Sequence, residues 1–148
     1  IAANNQRKQT MTQKITAALG GSVKGKTLGI LGLAFKANTD DIRESPALAI
    51  ISNLEAAGAS LRVYDPQGME HGKAYFSGKR IEWCTSTEDC ATRTDALVIV
   101  TEWNEFRHLD FAKLKSALRQ PLLIDLRNLY PPQDVRDAGF KYVSVGRN

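Results

Sequence analysis

The chain has 148 residues, of which 43% are hydrophobic and 24% charged, a balance that excludes a disordered or fibrous protein and indicates one globular core. Its net charge is +4, but the basic residues are spread along the chain without interleaved aromatic residues, so the composition does not favour nucleic-acid binding. Neither a membrane-spanning run nor a signal peptide is recognisable, and we expect a cytoplasmic protein in which Cys84 and Cys90 are buried, unpaired thiols.

The first predicted element is a helix over the opening twenty residues. Ile15, Ala18 and Leu19 lie on one face of it, and a pair of glycines ends the pattern. Because the chain does not begin with Met and the helical pattern is already under way, we expect a fragment of a longer protein. The next element, residues 27–33, is a short apolar run typical of a strand inside a parallel sheet.

Helices and strands are predicted to alternate along the rest of the chain. Ser45 and Pro46 have the chemistry of a helix start, and Gly58 that of a helix end, around a helix over residues 46–57. Further strands are predicted at residues 60–64, 80–84, 96–101, 121–126 and 141–145, and further helices at 68–75, 87–93, 110–118 and 133–137. This alternation predicts a Rossmann-like α/β fold, a three-layer, doubly wound and mostly parallel sheet.

A long polar loop, residues 34–44, follows the first predicted strand. Ligands of such sheets bind outside the carboxyl ends of the strands, and this loop leads into a helix amino terminus, which favours anions. Lys36 and Arg43 suit a phosphate group. Alternatively, Asp40 and Asp41 pair with these cations in a solvated loop, so the composition leaves both interpretations open.

Two later loops are predicted to reach the same edge of the sheet. Arg127 follows Asp125 at the end of a strand, where its guanidinium either grips phosphate oxygens or forms a structural pair with Asp125. Trp103 and Phe106 follow the preceding strand. Their rings either stack on a base or sugar or cover the hydrophobic core.

Several residues that resemble known motifs are given no ligand role. Gly29 and Gly32 lack the G-x-G-x-x-G spacing of a dinucleotide site. Asp65 stands where such a fold keeps its ribose-binding acid, but without that spacing it is interpreted as part of a strand-ending turn. His71 and His108 have no partner at metal-ligand spacing, so no metal site is predicted.

Residues 31–46, LGLAFKANTDDIRESP, closely resemble the G-L-x-F-K-x-x-T-D-D-x-R-E-S-P signature that opens the carboxy-terminal domain of the UDP-glucose/GDP-mannose dehydrogenase family. Later stretches resemble further family landmarks in the right order, namely VYDP at 63–66, ALVIVTEW at 96–103 and DLRN at 125–128. The resemblance implies that residues 1–22 end the helix joining the family's two halves. Residues 23–148 would then form the nucleotide-sugar (UDP)-binding domain.

The resemblance implies a chemistry for the full-length protein. The family oxidises the C6 alcohol of a nucleotide sugar to a carboxylate in two NAD-dependent steps, through a cysteine-bound intermediate. Phe35 and Lys36 match residues that contact the sugar nucleotide, Arg127 matches one that binds substrate, and Arg43 matches one that reaches NAD. The family's catalytic cysteine and amino-terminal NAD-binding domain have no counterpart here. We therefore expect no catalytic residue in this chain, no activity of the chain alone, and NAD held mainly by the amino-terminal domain.

The stretches at residues 101–106 and 125–128 look most like bacterial enzymes that act on UDP-glucose and serve polysaccharide biosynthesis. GDP-mannose and UDP-N-acetylmannosamine dehydrogenases of the same family are the alternatives. A free-standing nucleotide-binding module is a further alternative, which the start inside a helix disfavours. The partners implied by the resemblance are UDP-glucose, the chain's own amino-terminal domain and a second copy in a homodimer.

Overall fold

The computed structural model describes residues 2–145, with side chains from residue 8 onward. Within these residues, six strands form the sheet: β1 (Thr27–Leu31), β2 (Ser60–Tyr64), β3 (Ile81–Trp83), β4 (Ala96–Ile99), β5 (Leu122–Asp125) and β6 (Lys141–Ser144). The α-helices of the same described part of the chain are α1 (Ala2–Ala18), α2 (Pro46–Ala56), α3 (Met69–Tyr75), α4 (Thr87–Ala91), α5 (Phe111–Ala117) and α6 (Pro132–Asp137). A short 3-10 helix, Asn104–Arg107, follows β4. No helix in this part of the chain has the length and apolar character needed to cross a bilayer.

The strands lie in the order β3-β2-β1-β4-β5-β6, and every pairing between them is parallel. This confirms the predicted doubly wound, Rossmann-like fold. The central strands are apolar because helices cover both of their faces, and every residue of β4 and β5 is buried. The strand order reverses between β1 and β4, and in this class of fold ligands bind at the carboxyl edge beside that reversal.

Two hydrophobic clusters cover the two faces of the sheet. Successive side chains of a strand point to opposite faces, so Val98 of β4 joins one cluster while Leu97 joins the other. Ile15 of α1 is fully buried in the first cluster, together with Leu54 of α2. Leu114 of α5 belongs to the second. Helix α1 therefore packs on the same face of the sheet as α2, and the domain boundary predicted after residue 22 stays a prediction.

The element boundaries follow from local chemistry. Ser45 caps α2 as predicted, because its side-chain oxygen accepts a hydrogen bond from the Ala47 amide at 3.2 Å. The strand predicted over residues 27–33 was too long, since β1 ends at Leu31. Gly32 follows with a φ of +112°, and a Cβ there would collide with the side chain of Thr101. A glycine is required where the chain turns out of β1.

Candidate functional site

The long loop between β1 and α2 is held at its base by buried hydrogen bonds. The amides of Leu33 and Ala34 donate to Asp65 Oδ2 at 2.7 and 3.0 Å. Further along, the Phe35 amide donates to the carbonyl oxygen of Asp41 at 2.7 Å and closes the loop on itself. The segment between Phe35 and Asp41 therefore projects from a fixed base at the carboxyl edge of the sheet.

Asp65 is the centre of this base. The residue is 1% exposed. It accepts five hydrogen bonds, from the two loop amides, from the amides of Gln67 and Gly68, and from Trp103 Nε1. The bonds from Gln67 and Gly68 confirm the strand-ending turn. The bonds to the loop and to Trp103 were missed by the sequence interpretation, because they connect segments that are distant along the chain.

The segment that follows β1 does not have the form of a dinucleotide-binding turn. A ribose-binding acid needs a free carboxylate oxygen, and the bonds to Asp65 occupy the roughly four lone-pair sites of its carboxylate. The chain leaving β1 also continues into a long loop instead of turning directly into α2. The end of β1 therefore lacks the features of a dinucleotide-binding turn.

Arg43 is strongly exposed at the end of the loop, with 87% of its side chain accessible. Its guanidinium forks onto Asp41, with Nε and Nη2 each 3.0 Å from a carboxylate oxygen. This side-chain bond, followed by the bond from the Arg43 amide, lowers the pKa of Asp41 to about 2. His71 is also exposed, and its Nε2 lies 3.1 Å from Asp40.

The predicted pairing of loop aspartates with loop cations is thus confirmed for Arg43 but not for Lys36. Lys36 is exposed and forms no ion pair with the side chains that the structure describes. The Phe35 ring beside it is 50% exposed. Phe35 and Arg43 line a common cleft of about 330 Å³.

Arg127 is anchored at both ends. Its amide donates to Asp125 Oδ1 at 3.0 Å, and its Nη2 donates to Glu102 Oε1 at 2.7 Å. The alternative side-chain pair with Asp125 does not form, because Asp125 is fully buried and accepts from the Tyr142 hydroxyl at 2.7 Å. The second oxygen of Glu102 accepts from Arg107 Nη2 at 3.2 Å. Glu102, in the segment after β4, therefore accepts a hydrogen bond from each of two guanidinium groups.

Arg127 also lines a groove of about 530 Å³ between α1 and the end of β5, a different cavity from the cleft beside Phe35. The other groove-lining residues are Thr10, Met11, Lys14, Leu126, Asn128 and Val145. Lys14 forms no ion pair with the side chains described. The groove thus combines two cations and an amide with an apolar floor. Neither Lys14 nor Glu102 was singled out in the sequence, where both resemble ordinary surface charges.

The remaining candidates belong to the core or to the surface. Trp103 and Phe106 are 6% and 0% exposed, which confirms the alternative in which they cover the core. Cys84 and Cys90 are buried, free thiols, as predicted. Within the described residues, no three His, Cys, Asp or Glu side chains cluster closely enough to hold a metal ion. The fold is that of a Rossmann-like α/β domain, and Lys36, Arg43 and Arg127 lie in segments at its carboxyl edge, where ligands of such folds bind.

Comparison with known proteins identifies the family. A family model for the UDP-binding domain of the UDP-glucose/GDP-mannose dehydrogenase family matches residues 29–132, and the chain belongs to this family. It is 48% identical to UDP-glucose 6-dehydrogenase of Rhizobium meliloti (strain 1021) over 147 residues, which are 99% of this chain and 33% of that protein. The chain spans about a third of the length of the curated relatives that it matches.

Solved structures give the same result. A UDP-glucose dehydrogenase from Pyrobaculum islandicum superposes with a TM-score of 0.77 at 26% identity, over 97% of this chain and 31% of that one. A ternary complex of GDP-mannose dehydrogenase from Pseudomonas aeruginosa superposes with a TM-score of 0.67 at 26% identity, over 88% of this chain and 30% of that one. The chain is therefore similar to the domain that binds UDP in nucleotide-sugar dehydrogenases.

Proposed function

We propose that this chain is the UDP-binding part of a UDP-glucose 6-dehydrogenase, a cytoplasmic enzyme that oxidises UDP-glucose to UDP-glucuronate in two NAD-dependent steps. The observation that carries the proposal is the groove between α1 and the end of β5. Arg127 and Lys14 supply two cations there, above apolar surface from Leu126 and Met11. A nucleoside diphosphate offers the matching chemistry, a charged diphosphate with a base and sugar on either side.

The loop after β1 is proposed to complete the substrate site. The exposed ring of Phe35 can pack against a base or sugar, and Lys36 adds a cation without an ion-pair partner among the described side chains. The buried hydrogen bonds to Asp65 hold the base of this loop in place. Substrate binding would then order only the projecting segment, which lowers the entropy cost of binding.

NAD is proposed to be bound mainly by an amino-terminal domain. When bound, it supplies the hydride acceptor for the oxidation. Arg43 is the one residue of this chain assigned to the cofactor, because its exposed guanidinium can leave the solvent-accessible Asp41 for a phosphate of NAD at little cost. No residue of this chain is proposed to react covalently with substrate, and the full-length enzyme is proposed to form a homodimer.

The alternative enzymes of the family differ in the nucleotide or in the sugar of their substrate. The relative named UDP-glucose 6-dehydrogenase supports a uridine nucleotide and glucose. The similarity to GDP-mannose dehydrogenase keeps a guanosine nucleotide as the second candidate. A UDP-N-acetylmannosamine dehydrogenase would share the UDP site and differ only in the sugar.

Calorimetric titration of the chain with UDP, GDP and NAD tests the proposal. We expect UDP to bind with a Kd on the order of 0.1–1 mM, because the facing domain is missing, and GDP and NAD to bind more weakly. Arg127→Ala should weaken UDP binding about tenfold or more, since it removes charge-assisted hydrogen bonds. The matched control is Arg119→Ala, because Arg119 lies before β5 at the opposite end of the strand from Arg127 and should not affect binding.

Tighter binding of GDP than of UDP would overturn the uridine assignment, and unchanged UDP binding by Arg127→Ala would overturn the role of Arg127. Lys14→Met should weaken UDP binding about three- to tenfold, because it removes the second cation of the groove. Lys113→Met on the exposed side of α5 is its control. In the full-length protein, NADH formation with UDP-glucose but not with GDP-mannose or UDP-N-acetylmannosamine would separate the three enzymes. The chain alone should form no NADH.

A further inference from the structure

Glu102 at the end of β4 has no assigned role, although it contacts the proposed substrate residue Arg127 directly. We propose that Glu102 is a positioning residue, which holds the Arg127 guanidinium in its binding orientation before an anionic ligand arrives. This inference rests on the function proposed above for Arg127. A carboxylate beside an anion site is otherwise unfavourable, because it repels the phosphate groups that the site must bind.

The backbone of Glu102 is held rigidly by its two neighbours. Thr101 is 2% exposed, and its hydroxyl donates to the carbonyl oxygen of Ala34 at 2.8 Å. Trp103 is 6% exposed, and its Nε1 donates to Asp65 Oδ2 at 3.1 Å. Both bonds tie the chain after β4 to the neighbouring segments after β1 and β2. The carboxylate of Glu102 therefore starts from a fixed point at the carboxyl edge.

Two hydrogen bonds restrain Arg127 but leave some of its side-chain N–H donors free to bind a ligand. Its amide is fixed on Asp125 Oδ1, and its Nη2 is fixed on Glu102 Oε1. An arginine side chain carries five N–H donors in a planar fork. The bond to Glu102 uses one of these N–H groups, so others stay available for the oxygens of a phosphate. Binding then costs less side-chain entropy than it would with a freely rotating arginine.

Glu102 also accepts from Arg107 Nη2, so its single negative charge is shared by two guanidinium groups. The three side chains together leave one positive charge at this edge. Two effects of Glu102 therefore oppose each other. Its charge reduces the attraction for an anion, whereas its hydrogen bond orients Arg127. Charge alone predicts that removing Glu102 tightens UDP binding, and positioning predicts that it weakens UDP binding.

A double-mutant cycle on the 148-residue chain shows which of these two effects of Glu102 on UDP affinity is larger. UDP is titrated into the wild type, Glu102→Ala, Arg127→Ala and the double variant. We expect Glu102→Ala to weaken UDP binding about two- to tenfold, the cost of ordering one long side chain on binding. In the Arg127→Ala background, the same substitution should cause no weakening. Glu102→Gln should recover most of the lost affinity, because its carbonyl oxygen can still accept from Arg127.

Arg107→Ala serves as the control for the second hydrogen bond of Glu102 and should change UDP binding less than twofold. Unchanged or tighter binding by Glu102→Ala would overturn the inference. So would an equal weakening in both backgrounds, which would indicate a general structural effect. If Arg127→Ala itself leaves UDP binding unchanged, the proposed function of Arg127 fails first, and that result is distinct from a failure of Glu102 alone.

Discussion

Replacing Asp65 by asparagine is expected to destabilise the chain by about 3 kcal/mol. The substitution preserves the shape of the side chain but replaces one acceptor oxygen by an NH₂ group. With the remaining oxygen at the Oδ2 position, the bonds from Leu33, Ala34 and Trp103 survive. The bonds that Oδ1 accepts from Gln67 and Gly68, at 2.9 and 2.7 Å, are lost.

The magnitude follows from those two bonds. Hydrogen bonds to a charged group contribute about 1.5–3 kcal/mol each, so their loss costs about 3–6 kcal/mol. The Gly68 amide is buried, but Gln67 is exposed and water can partly replace its bond. This places the expected loss near the lower end, about 3 kcal/mol. Since small domains are stable by about 5–15 kcal/mol, the variant should still fold.

Urea denaturation monitored by circular dichroism measures the loss directly. At a slope of about 2 kcal/mol per molar urea, the midpoint should fall by about 1.5 M with the slope unchanged. Asp137→Asn is the matched control, because Asp137 is exposed on α6 and the change should stay within about 0.5 kcal/mol. A loss below about 1 kcal/mol for Asp65→Asn would refute the reasoning that this carboxylate braces the carboxyl edge.

Three further predictions concern charge, backbone and burial. By NMR, the Asp41 carboxyl should titrate with a pKa of about 2, and its pKa should return toward 3.8 in Arg43→Ala. Because the pKa is lower in the folded state than in the unfolded state, the Asp41–Arg43 pair stabilises the fold above pH 4. This contribution disappears as the pH falls toward 2. Gly32→Ala should lower the free energy of unfolding, measured with denaturant, by about 2–5 kcal/mol, because φ is positive there and the new Cβ would collide with a side chain. Gly25→Ala should lower it by only about 1 kcal/mol, because Gly25 also has a positive φ, +75°, but no atom lies near its Cβ position. Burial raises the pKa of the Cys90 thiol well above its ordinary value, so iodoacetamide at pH 8 should modify it only after unfolding, as peptide mass mapping would show.

The candidate site was only partly predictable from the sequence. Of the two interpretations left open for the loop, the pairing with aspartates holds for Arg43, because Asp41 is only two residues away, but not for Lys36. Arg127 was placed at the correct edge of the sheet, but the alternative in which its side chain pairs with Asp125 was wrong. Asp125 is the nearest acid in the chain, yet its buried carboxylate is already bonded to Tyr142.

The sequence by itself determined the order of the elements and the parallel sheet, because the length of an apolar run and the chemistry of a helix cap depend on residues close together in the chain. Strand β2 has the predicted bounds, residues 60–64, and Ser45 caps α2. Only the tertiary structure decided which polar groups meet at the carboxyl edge. Asp65 braces amides from a loop that precedes it by more than thirty residues, and Glu102 reaches across 25 residues to Arg127. These partners are set by the strand order, which places the end of β4 between those of β1 and β5, and local patterns contain no information about that order.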